Sequence, residues 1–194
     1  ALGPRGEGTV ADLFTESWND ETVRFGQYGV QYIPSERRLK IPDHSPNWLR
    51  ERVVGLGLNG ILILDTRPIL DWFTEAALLA ADLALVPVKD RASLINAGAL
   101  RQILADHGRA ASLWLVPSLV DARSRLNGEV RVHEFLRFAA AERDYQVVET
   151  QINKSPKVES LASGFSSRIP SVLTHARGTI VHGQFRALAE FVLS

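Results

Sequence analysis

The run Gly60-Ile61-Leu62-Ile63-Leu64-Asp65-Thr66-Arg67-Pro68 constrains this chain more than any other segment. Four branched apolar residues in succession suit a strand buried on both faces. The run ends in a carboxylate and then a turn. Thr74-Glu75-Ala76-Ala77-Leu78-Leu79-Ala80-Ala81-Asp82 follows with helical character, and Leu83-Ala84-Leu85-Val86-Pro87-Val88 reads as a second buried strand. Strand, helix and strand at this spacing predict a parallel crossover unit, and open α/β sheets bind ligands at the carboxyl edge of their strands. Asp65 is thereby expected at that edge. A plain carboxylate ending a strand is the alternative reading of the same residue.

The flanking sequence extends the alternation. Thr9 is expected to cap a short helix over 10–17. Residues 29–35 read as a strand ending at Pro34, and residues 45–55 as a helix capped by Ser45 with Pro46 in its first turn. The periodicity predicts a helix over 70–81, another over 91–107 stopped by Gly108, and a buried strand over 112–117. A polar loop is expected over 118–128, an amphipathic helix over 129–143 and a strand over 146–150. A turn at 151–156 leads into a short helix, and a last helix spans 179–192. Taken together, the chain is expected to be one α/β domain, 1–194, with a mainly parallel doubly wound sheet covered by helices on both faces.

Composition narrows the function classes. The chain has 194 residues, 45% hydrophobic and 23% charged, enough to bury a core. It has no Cys, so disulfide and thiolate chemistry are excluded and a cytoplasmic location is expected. No apolar run approaches the ~20 residues of a membrane span. The C-terminal segment 185–194 lacks the Lys-rich amphipathic pattern of a membrane-surface helix. Net charge is zero, but residues 1–107 carry 11 Lys and Arg against 14 Asp and Glu, and residues 108–194 carry 11 against 8. The five His lack metal-ligand spacing, and no Gly-x-Ser-x-Gly elbow is present. Gly55-Leu56-Gly57-Leu58-Asn59-Gly60 echoes a dinucleotide fingerprint but precedes its strand instead of following it, which rules that reading out.

The Asp65 strand, the alanine-rich helix and the strand ending in Pro87-Val88 resemble the Walker B region of the ParA/MinD family of P-loop ATPases. Arg67 stands where that family usually has Pro. Further likeness lies in Trp114-Leu115-Val116-Pro117-Ser118-Leu119-Val120-Asp121-Ala122-Arg123-Ser124-Arg125-Leu126 and in Thr150-Gln151-Ile152-Asn153-Lys154-Ser155-Pro156. Gly3-Pro4-Arg5-Gly6 followed by residues 9–14 looks like a decayed form of a segment that follows the family's second strand.

The resemblance implies a P-loop NTPase-like fold with its N-terminal strands missing or replaced. It implies ATP and Mg²⁺ as cofactors in intact relatives, a homodimer, nonspecific DNA binding and a ParB-like adaptor protein as partner. Asp65 would hold Mg²⁺ through water, and Thr66 and the turn to Asp71 would sense the terminal phosphate. Pro117, Ser118, Ile152 and Asn153 would border the adenine. Arg123, Arg125, Lys154, Lys157 and Arg177 would face DNA phosphates, for which scattered cations suffice. Arg67 would donate to phosphate, meet DNA or simply sit on the surface.

No Gly-x-x-x-x-Gly-Lys-Ser/Thr occurs in these residues, so the main-chain cradle and Lys that hold phosphates in such a site are not among them. The expected function is a ParA-like protein of DNA partition or intracellular positioning that hydrolyses little or no ATP by itself. The alternative is a nucleotide-independent scaffold that kept the fold and lost the chemistry. A related amide-forming ligase fits less well, because it needs its own phosphate loop.

Overall fold

A computed structural model describes residues 8–15, 22–36, 39–109, 112–121, 125–126, 129–163 and 170–194. The chain divides into two compact units, Ala1–Ala81 and Asp82–Ser194.

In the first unit, Thr9 caps a single 3-10 turn, Val10–Phe14, instead of the longer helix expected. The Thr9 hydroxyl accepts from the Ala11 N–H at 3.3 Å and the Asp12 carboxylate accepts from the Thr9 N–H at 2.7 Å. The strand expected over 29–35 shrinks to β2, Gln31–Tyr32, paired antiparallel with β1, Arg24–Phe25. Helix α1, Trp48–Gly55, starts two residues after Pro46 and is not capped by the Ser45 side chain; Asn47 holds the cap position. Helix α2, Trp72–Ala80, is capped by Asp71. Leu49, Ala76 and Ala80 form the unit's core, with Phe14, Val53, Leu64 and Trp72 against them.

The strand expected over 60–65 does not form. Residues 61–67 run without helix or ladder, and Leu64 alone of Ile61–Asp65 is half-buried. Strand preference expresses packing against neighbours on a pleated surface, and an apolar run with no ladder partner does not become a strand.

The second unit is α/β with a mostly parallel sheet. Its central strand is β4, Ser112–Val120, three residues longer than expected. Strand β3, Leu83–Val88, pairs with it in parallel from Leu83↔Ser112 to Val88↔Pro117. After helix α3, Arg91–Asp106, and the antiparallel ribbon of β5, Arg125–Leu126, and β6, Val130–Arg131, comes helix α4, Val132–Ala141. Strand β7, Gln146–Val147, and strand β8, Ile152–Asn153, then pair in parallel with successive parts of β4. Short helices α5, Pro156–Glu159, and α6, Val172–His175, lead to α7, Ile180–Leu193.

Alternation along the strands sorts the core into two layers. Val88, Leu113, Leu115 and Val147 pack with Leu94 and Ala97 of α3 and with Ala139 and Ala140 of α4. Leu85, Trp114, Val116 and Val148 pack with Val181, Phe185, Leu188 and Phe191 of α7. Helices therefore cover both faces of this sheet, as the sequence predicts. Ile95, Phe138 and Ile180 are 60%, 66% and 76% exposed. Each lies beside the buried stripe of its helix and not within it.

Candidate functional site

Parallel strands ending together define a ligand-facing edge. Pro117 is fully buried near the carboxyl end of β4, and the Ser118 hydroxyl turns back to donate to the Val116 carbonyl at 3.0 Å. Ser118 lies opposite Ile152, and Val120 lies opposite Asn153. Two steps on β4 thus oppose one on β8, and Leu119 takes up the extra residue as a bulge with φ +56°. Its side chain is 56% exposed. Ser118 and Ile152, distant in sequence, meet at one place, with Pro117 and Asn153 beside them in their strands.

Side-chain amides surround that junction. Gln151 Nε2 donates to Asn153 Oδ1 at 2.9 Å, and the Asn153 main-chain N–H donates to Gln184 Oε1 at 3.0 Å. The Lys154 N–H donates to the Val120 carbonyl at 3.1 Å, closing β8 onto β4. The set holds hydroxyl, amide and main-chain groups, which recognise a ligand by hydrogen bonding but supply no general acid or base.

Asp65 and Thr66 are placed differently. Both are exposed, and Asp65 stands on unpaired chain instead of a strand tip. Beyond them, the turn expected to sense phosphate is tied into the start of α2. The Asp71 carboxylate caps the helix by accepting from the Thr74 N–H at 3.0 Å, and it pairs with the Arg67 guanidinium. The Thr74 hydroxyl donates to the Ile69 carbonyl at 2.7 Å. The Arg67 guanidinium also lies 5.4 Å from the centre of the Phe73 ring, so this side chain is already engaged within its own turn. Partial burial pushes the Asp71 carboxyl up. The Thr74 N–H, the Arg67 charge and the Thr74 hydroxyl outweigh that and hold it below the ordinary carboxylate value.

These residues do not make a Mg²⁺–nucleotide site. Among the described residues no group of three or more His, Cys, Asp or Glu side chains stands close enough to hold a metal ion. The Asp65 carboxylate has no hydrogen-bond partner beside it to fix its direction, and no phosphate cradle is present in the sequence.

The cations expected to face DNA divide. Arg123 lies outside the described residues. Arg125 donates to the Glu129 carbonyl at 3.3 Å, and Lys154 pairs with Glu159 at 3.7 Å. An exposed pair of that kind contributes little and leaves the Lys available to a stronger anion. Lys157 and Arg177 are exposed. The ribbon adds Arg131, which stands directly across from Arg125. Like charges at opposed ladder positions repel, so this pair is a cationic point that the sequence alone did not single out.

The capping role of Asp71, the contact of Gln184 and the position of Arg131 escaped the sequence reading. Asp71 carried a signal, an acidic residue one step before an apolar helix with Thr three positions on. Gln184 carried none, because its role depends on α7 lying beside β8. Arg131 carried none, because its neighbour is set by the ribbon's register. No helix among the described residues is long and apolar enough to cross a membrane. No protein-family model matches this chain, and no curated protein matches it.

Proposed function

We propose that this chain is a ParA-like protein of DNA partition or intracellular positioning, one that hydrolyses little or no ATP by itself. The observation that carries the reading is the meeting of Pro117 and Ser118 with Ile152 and Asn153 at the carboxyl end of a parallel sheet. Those are the positions that the resemblance assigns to the adenine of a P-loop NTPase-like fold. The hydroxyl and amides there suit the edge of a heterocyclic base and hold it without reacting with it.

In this reading the nucleotide is an affinity ligand, held by its base. The phosphates find no dedicated donors, because Arg67 is committed to Asp71. Arg125 and Arg131 of the ribbon, with Lys154, Lys157 and Arg177, supply the cations for nonspecific DNA. A ParB-like adaptor and a homodimer complete the expected partners, and the chain acts in the cytoplasm.

The alternative, a nucleotide-independent binding module, draws on the exposed and unpartnered Asp65. One titration separates the two. Adding a non-hydrolysable ATP analogue to labelled protein is expected to shift the amide resonances of Ser118, Leu119, Ile152 and Asn153. An unchanged spectrum at millimolar analogue, with DNA binding intact, rejects the nucleotide reading and leaves the module.

A further inference from the structure

We propose that Gln184 is a positioning residue for the site at the end of β8, and that it makes ligand binding there and docking of helix α7 one coupled event. The inference rests on the reading of that site as one that holds a heterocyclic base.

Strand β8 pairs with β4 on one side and, among the described residues, with no strand on the other. Successive main-chain N–H groups of a strand point to opposite edges. The Lys154 N–H donates to the Val120 carbonyl of β4 at 3.1 Å, so the Asn153 N–H falls on the open edge. Gln184 Oε1 accepts it there at 3.0 Å and takes the place of a ladder carbonyl. Open edges are ordinarily covered by another element, and here a single side chain of α7 does so. Two consecutive residues of β8 are thereby held from opposite sides, Asn153 by α7 and Lys154 by β4.

The Asn153 side chain takes its direction from that anchored main chain. Alternation puts Gln151 and Asn153 on the side of β8 away from Ile152. Ile152 is buried in one core cluster with Val181 of α7. Gln151 Nε2 donates to Asn153 Oδ1 at 2.9 Å. Turned either way, this amide pair keeps one donor and one acceptor for a ligand, the complement of an amino group beside a ring nitrogen as in adenine. Gln184 acts on the ligand only through Asn153. A base bonded to Asn153 selects the arrangement in which β8 is in place, and the Gln184 bond makes that the arrangement in which α7 is docked. Binding and docking therefore favour each other by the same factor.

The test uses the whole chain and adenosine, which carries the base without phosphates, so the charge added by Gln184→Glu meets no phosphate. By NMR titration, at a temperature where its melting curve shows it folded, Gln184→Leu is expected to bind adenosine about five- to tenfold more weakly, the worth of one hydrogen bond. Gln184→Glu keeps the acceptor and is expected to stay within about twofold of the parent. In the parent, adenosine is expected to slow amide exchange over 184–188 by about threefold or more through the coupling, and to leave α3, on the other face of the sheet, unchanged. A parent that binds no adenosine overturns the base reading and this inference with it. A parent that binds, beside a folded Gln184→Leu of equal affinity, overturns this inference alone. So does Gln184→Glu binding as weakly as Gln184→Leu, or exchange that slows alike in α3 and α7. If Gln184→Leu does not fold, the exchange comparison in the parent decides.

Discussion

Gln184 of α7 accepts the main-chain N–H of Asn153 of β8 at 3.0 Å. That bond ties the last helix to the last strand, and it satisfies a donor at the sheet edge where Ser118 and Ile152 also meet. Leaving a half-buried N–H unpaired costs about 1–3 kcal/mol. Gln184→Leu is therefore expected to lower unfolding stability by that amount in urea and to speed amide exchange at Asn153. Gln184→Glu keeps an acceptor and is expected to lose less. Equal losses in the two variants would remove the hydrogen bond from the account.

The start of α3 carries a reciprocal cap. Asp90 Oδ1 accepts from the Ser93 N–H at 2.8 Å, and the Ser93 hydroxyl accepts from the Asp90 N–H at 3.0 Å. The Ser93 N–H and hydroxyl hold the Asp90 carboxyl below its ordinary value, against a small opposing effect of burial. Because the folded value is the lower one, the stabilisation is complete above the unfolded value and is lost as pH falls through the folded one. Asp90→Ala is expected to cost about 1 kcal/mol at neutral pH and progressively less in acid. Thermal melts of both proteins from neutral pH downward check this, and a gap that widens in acid would contradict it.

Leu119 holds φ +56° at the bulge where β8 joins β4. The left-handed region costs a non-glycine residue about 1–2 kcal/mol. Leu119→Gly removes that strain and loses a largely exposed side chain, so it is expected to leave stability within about 1 kcal/mol of the parent. Leu119→Val adds branching at the same backbone angle and is expected to destabilise by at least about 1 kcal/mol. Denaturant midpoints of the two variants decide it. A Val variant as stable as the Gly variant would show that the bulge relaxes freely.

Much of the second unit was legible from residue pattern. Strand β3, helix α3 and the core of β4 stand where periodicity puts them, because Leu94, Leu104, Leu115 and Val116 have one buried face each to satisfy. The pairing of Ser118 with Ile152 depends on β8 lying beside β4, which no local pattern reports. Pattern failed where structure depends on a partner. Ile61–Leu64 has the composition of a core strand, yet composition supplies no neighbour for its main chain. The Arg125–Arg131 pairing and the Gln184 contact arise from register and helix placement, which leave no local mark. Arg67 and Asp71 are one turn apart, and their pairing was within reach of the spacing alone.

Arg125 and Arg131 face each other across the β5–β6 ribbon. If they meet DNA phosphates, Arg125→Ala and Arg131→Ala are each expected to weaken binding to duplexes of unrelated sequence alike and to reduce the salt slope by about 1. Fluorescence anisotropy over a range of salt concentrations measures both quantities. An unchanged slope in both variants would exclude the ribbon from the DNA-facing surface.

Phosphate release from Mg-ATP tests the central claim most directly. The account predicts that the chain leaves the rate at the level of Mg-ATP alone, with or without DNA, because no phosphate cradle is present and Asp65 stands exposed on unpaired chain. Release well above that level, abolished in Asp65→Ala, would contradict it.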